Sequence, residues 1–352
     1  MVDSGTDSSF DPNGVGVKGT LFGLPYDVAS ADIVVIPVPW DVTVSYGSGT
    51  AEGPKAILEA SSQIDYAQPD LEEAWKLKVA MSNIPEVWYA KGKSLRALSE
   101  KYIDWLENGS DPTGKVGMRS ILEEVNAQCT QLMDYVQKEC NYWLGQGKLT
   151  ILLGGDHSVP LGHIRALAEQ HESFGVLQID AHADLRKDYE GFVHSHASIM
   201  RNVLEIEAVE KLVQLGVRDF CEAEKEFIKQ SNGRVITYFD QHIKEASYAG
   251  DSWQKQCKKI IAKLPQKVYV SFDIDGLDPK LCPNTGTPVP GGFELEQVMY
   301  LLKKVAESGR QIIGCDLVEV APGKDEWDAN VGARVLYRMA LLMGLSQGLV
   351  VS

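Results

Sequence analysis

What the chain lacks narrows it first. No apolar run approaches the roughly 20 residues that a membrane-spanning helix needs. The opening Met1-Val2-Asp3-Ser4-Gly5-Thr6-Asp7 is polar and acidic, without the charged and then apolar order of a secretory leader. Six cysteines (Cys129, Cys140, Cys221, Cys257, Cys282, Cys315) are scattered, with no CxxC pair. That is the pattern of a reduced, cytoplasmic protein rather than of a disulfide framework. Positive charge is in deficit: 34 Lys and Arg face 49 Asp and Glu, a formal net charge of -15. Such a balance argues against nucleic acid or anionic membrane as partners and mildly favours a small cationic ligand. There is no internal repeat and no low-complexity tract.

What is present is a regular alternation. At 352 residues, 44% of them apolar, the chain can bury a large α/β core. Short apolar runs recur at 32–38, 77–81, 149–153, 174–179, 212–217, 234–238, 267–272 and 311–315. Several are continuous in Val, Ile and Leu, as in parallel strands covered on both faces. Helical patterns lie between them. The clearest is 118–144, where Ile121, Leu122, Val125, Cys129, Leu132, Met133, Val136, Cys140 and Trp143 recur at three- and four-residue spacing. Strand and helix in alternation predict a parallel sheet with helices on both faces. Residues 1–30, rich in Gly, Ser and Asp, read as an extended arm or partly ordered lead-in. Residues 84–117 break the rhythm and read as an insertion carrying one helix, within a single catalytic domain over 31–352.

The chemistry gathers at strand ends, where open α/β sheets bind ligands. After 174–179 comes Asp180-Ala181-His182-Ala183-Asp184. In an extended backbone the residues at i, i+2 and i+4 share a face, so two carboxylates and an imidazole converge beside a buried strand. A divalent cation would offset that cost. Asp273-Ile274-Asp275 repeats the pattern after 267–272. Gly154-Gly155-Asp156-His157-Ser158 follows 149–153, and read alone it is explained as well by a capped turn as by a ligand. Glu319 stands alone among apolar neighbours after 311–315 and would suit a cationic substrate group. Two His and four Asp exceed what one zinc needs. They suit two ions sharing carboxylate oxygens, with Mn²⁺ the leading candidate and Ni²⁺ an alternative. Such a pair acidifies a water held between the ions, which predicts a hydrolase.

These segments also carry a resemblance. Gly-Gly-Asp-His-Ser, Asp-Ala-His-x-Asp, Ser-Phe-Asp-Ile-Asp-x-Leu-Asp-Pro and Glu-Val-Ala-Pro, in this order, resemble the ureohydrolases of the arginase/agmatinase family. The likeness runs from about residue 33 onward and includes Gly49-Thr50-Ala51-Glu52-Gly53-Pro54, Ser195-His196-Ala197-Ser198 and the 286–292 stretch. It implies a three-layer α/β/α sandwich with a mainly parallel sheet of about eight strands, of the arginase/deacetylase kind. It implies that His157 and Asp184 bind one ion and His182 and Asp275 the other, with Asp180 and Asp273 bridging. Glu319 would orient a guanidinium, and His196 would pass a proton to the leaving amine; with Asp184 these form the catalytic set. Urea and an amine would be the products, and a trimer or hexamer the assembly.

The substrate's tail is left open. Arginases have Asn where Arg186 stands; the Asp-Leu-Arg continuation, Tyr46–Thr50 and Ser-His-Ala-Ser resemble agmatinases more closely. Asp188 or Glu190 would attract the amine of agmatine. Arg186 or Lys187 would instead pair with a carboxylate, as in 4-guanidinobutyrate or another guanidino acid. Free guanidine, arginine and formiminoglutamate complete the candidates. Two readings from other classes stand beside this one: a single-zinc deacetylase-type hydrolase, and a non-catalytic metal-binding relative.

Overall fold

The computed structural model describes residues 10–109 and 116–351. In chain order the elements are β1 (Ile33–Val38), α1 (Gly53–Ser61), β2 (Val79–Met81), α2 (Glu86–Glu107), α3 (Val116–Leu144), β3 (Leu149–Gly154), α4 (Pro160–Ala168) and β4 (Phe174–Ile179). Then follow α5 (Ile199–Val203), β5 (Val209–Leu215), α6 (Glu222–Gln230), β6 (Val235–Tyr238), α7 (Asp240–Tyr248) and α8 (Trp253–Ile261). The chain ends with β7 (Lys267–Asp273), α9 (Leu295–Glu307), β8 (Gln311–Val318) and α10 (Trp327–Ser346). The strands form one sheet in the order β2-β1-β3-β8-β7-β4-β5-β6, and every neighbouring pair is parallel.

The continuous apolar runs are explained by the layers. In β1, Ile33 and Val35 join a core with Ile57 of α1, Ile260 of α8, Leu302 of α9 and Met339 of α10. The alternate residues Val34 and Ile36 join a second core with Leu95 of α2, Val136 of α3, Ile164 of α4 and Met200 of α5. Both faces are therefore dry, and each buried Val or Ile contributes about 1.5–3 kcal/mol. The result is the three-layer α/β/α sandwich. Among the described residues no helix is long and apolar enough to cross a membrane.

Two boundaries differ from the sequence reading. β8 does not stop at Cys315: Asp316, Leu317 and Val318 continue the ladder opposite Ser271, Phe272 and Asp273. A buried acid inside a strand is invisible to a hydrophobic pattern. The lead-in is also more integrated than an extended arm. Leu21, Phe22 and Leu24 are buried, Phe22 N–H donates to Ser61 Oγ at 2.9 Å, and Tyr66 Oη donates to the Phe22 carbonyl at 2.9 Å. Residues 1–9 lie outside the described residues. In the 84–117 stretch α2 sends Leu95, Tyr102 and Ile103 into the second core beside α3, and residues 110–115 likewise lie outside the described residues.

One buried group makes this core sensitive to acid. His163 of α4 is fully enclosed, its Nε2 2.8 Å from Thr150 Oγ1 and its Nδ1 3.1 Å from Tyr269 Oη. Burial pushes its pKa from 6.5 down to about 3. The unfolded chain binds this proton more tightly, so stability is present above pH 6.5 and is lost as pH falls toward 3. Between pH 7 and 5 this residue alone should remove about 2 kcal/mol. His163→Gln, which does not titrate, should flatten that acid limb in denaturant unfolding of the ion-free protein. An unchanged limb would refute the assignment.

Candidate metal centre

The sequence-predicted groups hang from four adjacent strands, β3, β8, β7 and β4, at their carboxyl ends. His157 follows β3 through Gly155, where a Cβ would lie 1.9 Å from the Trp40 carbonyl oxygen. Only glycine lets the two chains pass. Asp156 turns inward to accept from Ser158 N–H at 2.9 Å, so it shapes this turn.

After β4 the convergence of Asp180, His182 and Asp184 arises differently from the extended strip read in the sequence. The strand ends at Ile179, His182 N–H donates to Asp180 Oδ1 at 2.6 Å, and Ala181 N–H donates to Asp275 Oδ1 at 2.9 Å. Asp184 then sits in the left-handed region at φ 54°, its carbonyl accepting from Met200 and Arg201 N–H at 3.1 and 3.2 Å. A turn held by its neighbours, not a pleat, aims these side chains. Asp273 closes β7, and its Oδ1 accepts from Asp275 N–H at 2.9 Å.

The donors meet closely. His157 Nδ1 lies 2.9 Å from Asp180 Oδ2, 3.1 Å from Asp184 Oδ2 and 3.2 Å from Asp273 Oδ2. His182 Nδ1 lies 3.0 Å from Asp275 Oδ2 and 3.5 Å from Asp180 Oδ1. Two groups capable of holding an ion result, His157 with Asp180 and Asp273, and Asp180 with His182 and Asp275. Asp180 belongs to both and offers a different oxygen to each. The fit to cations is chemical as well as geometric. His157 Nδ1 is buried and makes no aligned hydrogen bond, though three carboxylate oxygens surround it.

The electrostatics agree. Burial raises Asp184 to about 7, and Asp180 adds to that. Burial, then Asp275 and Asp180, push Asp273 well above the carboxylate range. Asp180 itself is held low: burial opposes this, but His157 and His182 outweigh it. Burial would lower His182, yet Asp275 and Asp180 carry it up to about 12. Protons and cations thus compete for one set of atoms, so ion binding releases protons.

Glu319 follows β8 at φ 64° and is buried. Its N–H donates to the Gly155 carbonyl at 2.8 Å, and its Oε1 accepts from His157 N–H at 2.8 Å. A Cβ on Gly286 would lie 2.9 Å from Oε2. Burial, reinforced by Asp156, raises its carboxyl well above the ordinary value. Glu319 and His196 line one small cavity with Ser45, Tyr46 and Thr287. His196 begins a short turn capped by Ser195, and burial depresses its pKa to about 3, with His182 and His157 adding to the effect.

Toward solvent the cleft is lined by Ser45, Arg186, Tyr189, Asp219, Phe220 and Thr287. Arg186 lies over the Tyr189 ring at 4.9 Å. Asp188 is exposed and stands outside this lining. Asp219 was missed in the sequence; its signal was position, since it follows β5 as the other polar groups follow their strands. Asn284 Nδ2 donates to Asp328 Oδ2 at 2.9 Å, and Asn284 stands outside the lining of this cleft.

Sheet order, strand-end donors and a shared carboxylate define an α/β/α hydrolase of the binuclear-metal type. Residues 31–342 match the model of the arginase family, and the chain belongs to that family, as one of its ureohydrolases. The N(1)-aminopropylagmatine ureohydrolase of Synechocystis sp. is 28% identical over 91% of each chain. That of Thermus thermophilus is 30% identical over 92% of this chain and 94% of its own. The solved agmatine ureohydrolase of Thermoplasma volcanium superposes with a TM-score of 0.69 at 21% identity, covering 97% of each chain, a likeness of fold.

Proposed function

We propose that the protein hydrolyses the C–N bond of a small guanidino amine of the agmatine type, releasing urea and the amine, with two Mn²⁺ held by His157, Asp180, His182, Asp184, Asp273 and Asp275. The observation that carries this is Glu319, a buried carboxylate beside those donors that lines a small cavity with His196 and suits a planar cation. When bound, the ions supply an acidified water and stabilise negative charge on the reacting carbon's substituents. The chain's residues do the rest. Glu319 Oε2 accepts from the guanidinium and fixes its plane. Asp184 takes up the proton of the attacking water, and His196, neutral at rest, relays a proton drawn from solvent to the departing amine nitrogen. Residues 31–352 act as one catalytic unit in this reading.

The tail is chosen at the mouth. Asp219 offers a carboxylate to a distal ammonium, and the names of the two relatives are those of enzymes with an amine-bearing guanidino substrate. A second reading, a guanidino acid, is favoured by Arg186 in the same lining. Urea release after Mn²⁺ or Ni²⁺ loading, measured across agmatine, N(1)-aminopropylagmatine, 4-guanidinobutyrate, arginine, guanidine and formiminoglutamate, separates them. The amines should lead. Faster turnover of the acids would overturn the lead, and one zinc per chain would overturn the dimetal reading. Asp219→Asn should raise KM for agmatine about 5-fold, the worth of a solvent-exposed ion pair, whereas Arg186→Gln should leave it unchanged. A rise in KM for 4-guanidinobutyrate in Arg186→Gln, with agmatine unaffected by Asp219→Asn, would assign the tail to a carboxylate.

A further inference from the structure

Beneath the donors lies a feature that the reaction does not use directly. One register row of the sheet is polar across five strands. Thr237 on β6 stands opposite Gln214 on β5, Gln214 opposite Gln178 on β4, Gln178 opposite Ser271 on β7, and Ser271 opposite Asp316 on β8. Gln214, Gln178, Ser271 and Asp316 are fully buried. In the middle of a sheet sandwiched between dry layers, this is costly unless every group is engaged.

The row divides into two hydrogen-bonded branches, each ending on a metal-ligand candidate. In the first, Thr237 Oγ1 donates to Gln214 Oε1 at 2.7 Å, Gln214 Nε2 donates to Gln178 Oε1 at 2.7 Å, and Gln178 Nε2 donates to Asp180 Oδ2 at 2.7 Å. Amide orientations are not free here. The second Gln214 Nε2 proton goes to the Ala183 carbonyl at 2.7 Å, and Asp180 is a carboxylate, so both termini accept only. One proton from each of Thr237, Gln214 and Gln178 therefore runs toward Asp180, and the other Gln214 proton is taken by Ala183.

In the second branch His157 Nε2 lies 2.9 Å from Ser271 Oγ, and Ser271 Oγ donates to Asp316 Oδ1 at 3.1 Å. A hydroxyl has one proton to give, and it goes to Asp316. The Nε2 must then carry its own hydrogen and donate to Ser271. Whenever the ring is neutral, that leaves the lone pair on Nδ1, the atom that faces Asp180, Asp184 and Asp273.

We propose that Gln178 with Gln214, and Ser271 with Asp316, are positioning residues that pre-set Asp180 and His157 for the ion they share. The row does for the carboxylate rotamer and the imidazole tautomer what outer hydrogen-bond partners do at metal sites generally. It reaches two ligands on different segments: Gln178 bonds Asp180 just beyond its own strand β4, and Ser271 of β7 bonds His157, which follows β3.

The inference rests on the dimetal reading, and Mn²⁺ alone tests the two apart. Ion affinity and stoichiometry are measured by chelator competition on the full-length protein, with thermal unfolding of the ion-free form as the measure of fold. Ser271→Ala should lower the affinity of one of the two ions about 10–100-fold, and Ser271→Thr, which keeps the hydroxyl, should restore it. Gln178→Met should weaken both ions, because Asp180 serves both groups. Thr237→Val, at the half-buried end, should leave affinity unchanged. If Gln178→Met does not fold, Gln178→Glu, of the same shape but without the donors, carries the same expectation. Loss of affinity at an unchanged unfolding midpoint supports positioning. Wild-type affinity for two Mn²⁺ in folded Ser271→Ala and Gln178 variants overturns the proposal. A wild-type protein that binds no ion overturns the dimetal reading instead.

Discussion

Asp180→Ala is expected to abolish binding of both ions and reduce urea release by more than about 10³-fold, because one carboxylate serves both groups. The substitution does more than delete a ligand. It removes the partner of His157 at 2.9 Å and the acceptor of the His182 N–H at 2.6 Å, so the turn after β4 loses its tether. Asp184→Ala, by contrast, takes a ligand from one side only, since Asp184 approaches His157 but belongs to neither shared group. Elemental analysis of the purified variants should show fewer than one ion per chain for Asp180→Ala, and at least one for Asp184→Ala. Two ions per chain in Asp180→Ala would remove Asp180 from the bridging position.

Glu319→Gln should separate binding of ions from turnover. Glutamine keeps an oxygen for the His157 N–H and keeps the volume against Gly286, so two ions per chain are expected. What disappears is the charge facing the guanidinium. In a desolvated site, loss of such a contact costs about 10²–10³-fold in turnover. The folded protein should not suffer. Glu319 is a buried acid whose charged form is disfavoured, so the neutral amide should unfold at the same temperature or higher. A Glu319→Gln enzyme with wild-type turnover would free this residue from the role, and one that lost its ions would make it a support of His157 instead.

The donors were legible because their signal is local. Period-two carboxylates after apolar runs mark Asp180, His182, Asp184, Asp273 and Asp275 without any knowledge of sheet order. The helix on 116–144 was legible for the same reason, a repeat within one segment. What was hidden depends on neighbours distant in sequence. Asp316 read as a residue beyond a strand, since nothing in its own segment says that Ser271 stands opposite it. Gln178 and Gln214 fall inside the apolar runs 174–179 and 212–217 without standing out, and only their register reveals a row. Asp188 read as the acid for the substrate's tail and Asp219 went unmarked; the turn after Asp184 carries the first outward, while the segment after β5 brings the second to the mouth. Side-chain type was readable, direction was not.

The order of the donors along the chain has a mechanical consequence. His157, Asp180, His182 and Asp184 precede the whole segment containing β5, α6, β6, α7 and α8, and Asp273 with Asp275 follow it. An ion seated between these groups therefore ties off a long loop much as a disulfide would, in a protein whose cysteines are all free. The clasp is reversible and set by ion concentration rather than by redox state. Starved of ions, the chain would lose catalysis and the fastening of one edge of its sheet together, so that scarcity of metal is read out first as a looser β5–β6 edge.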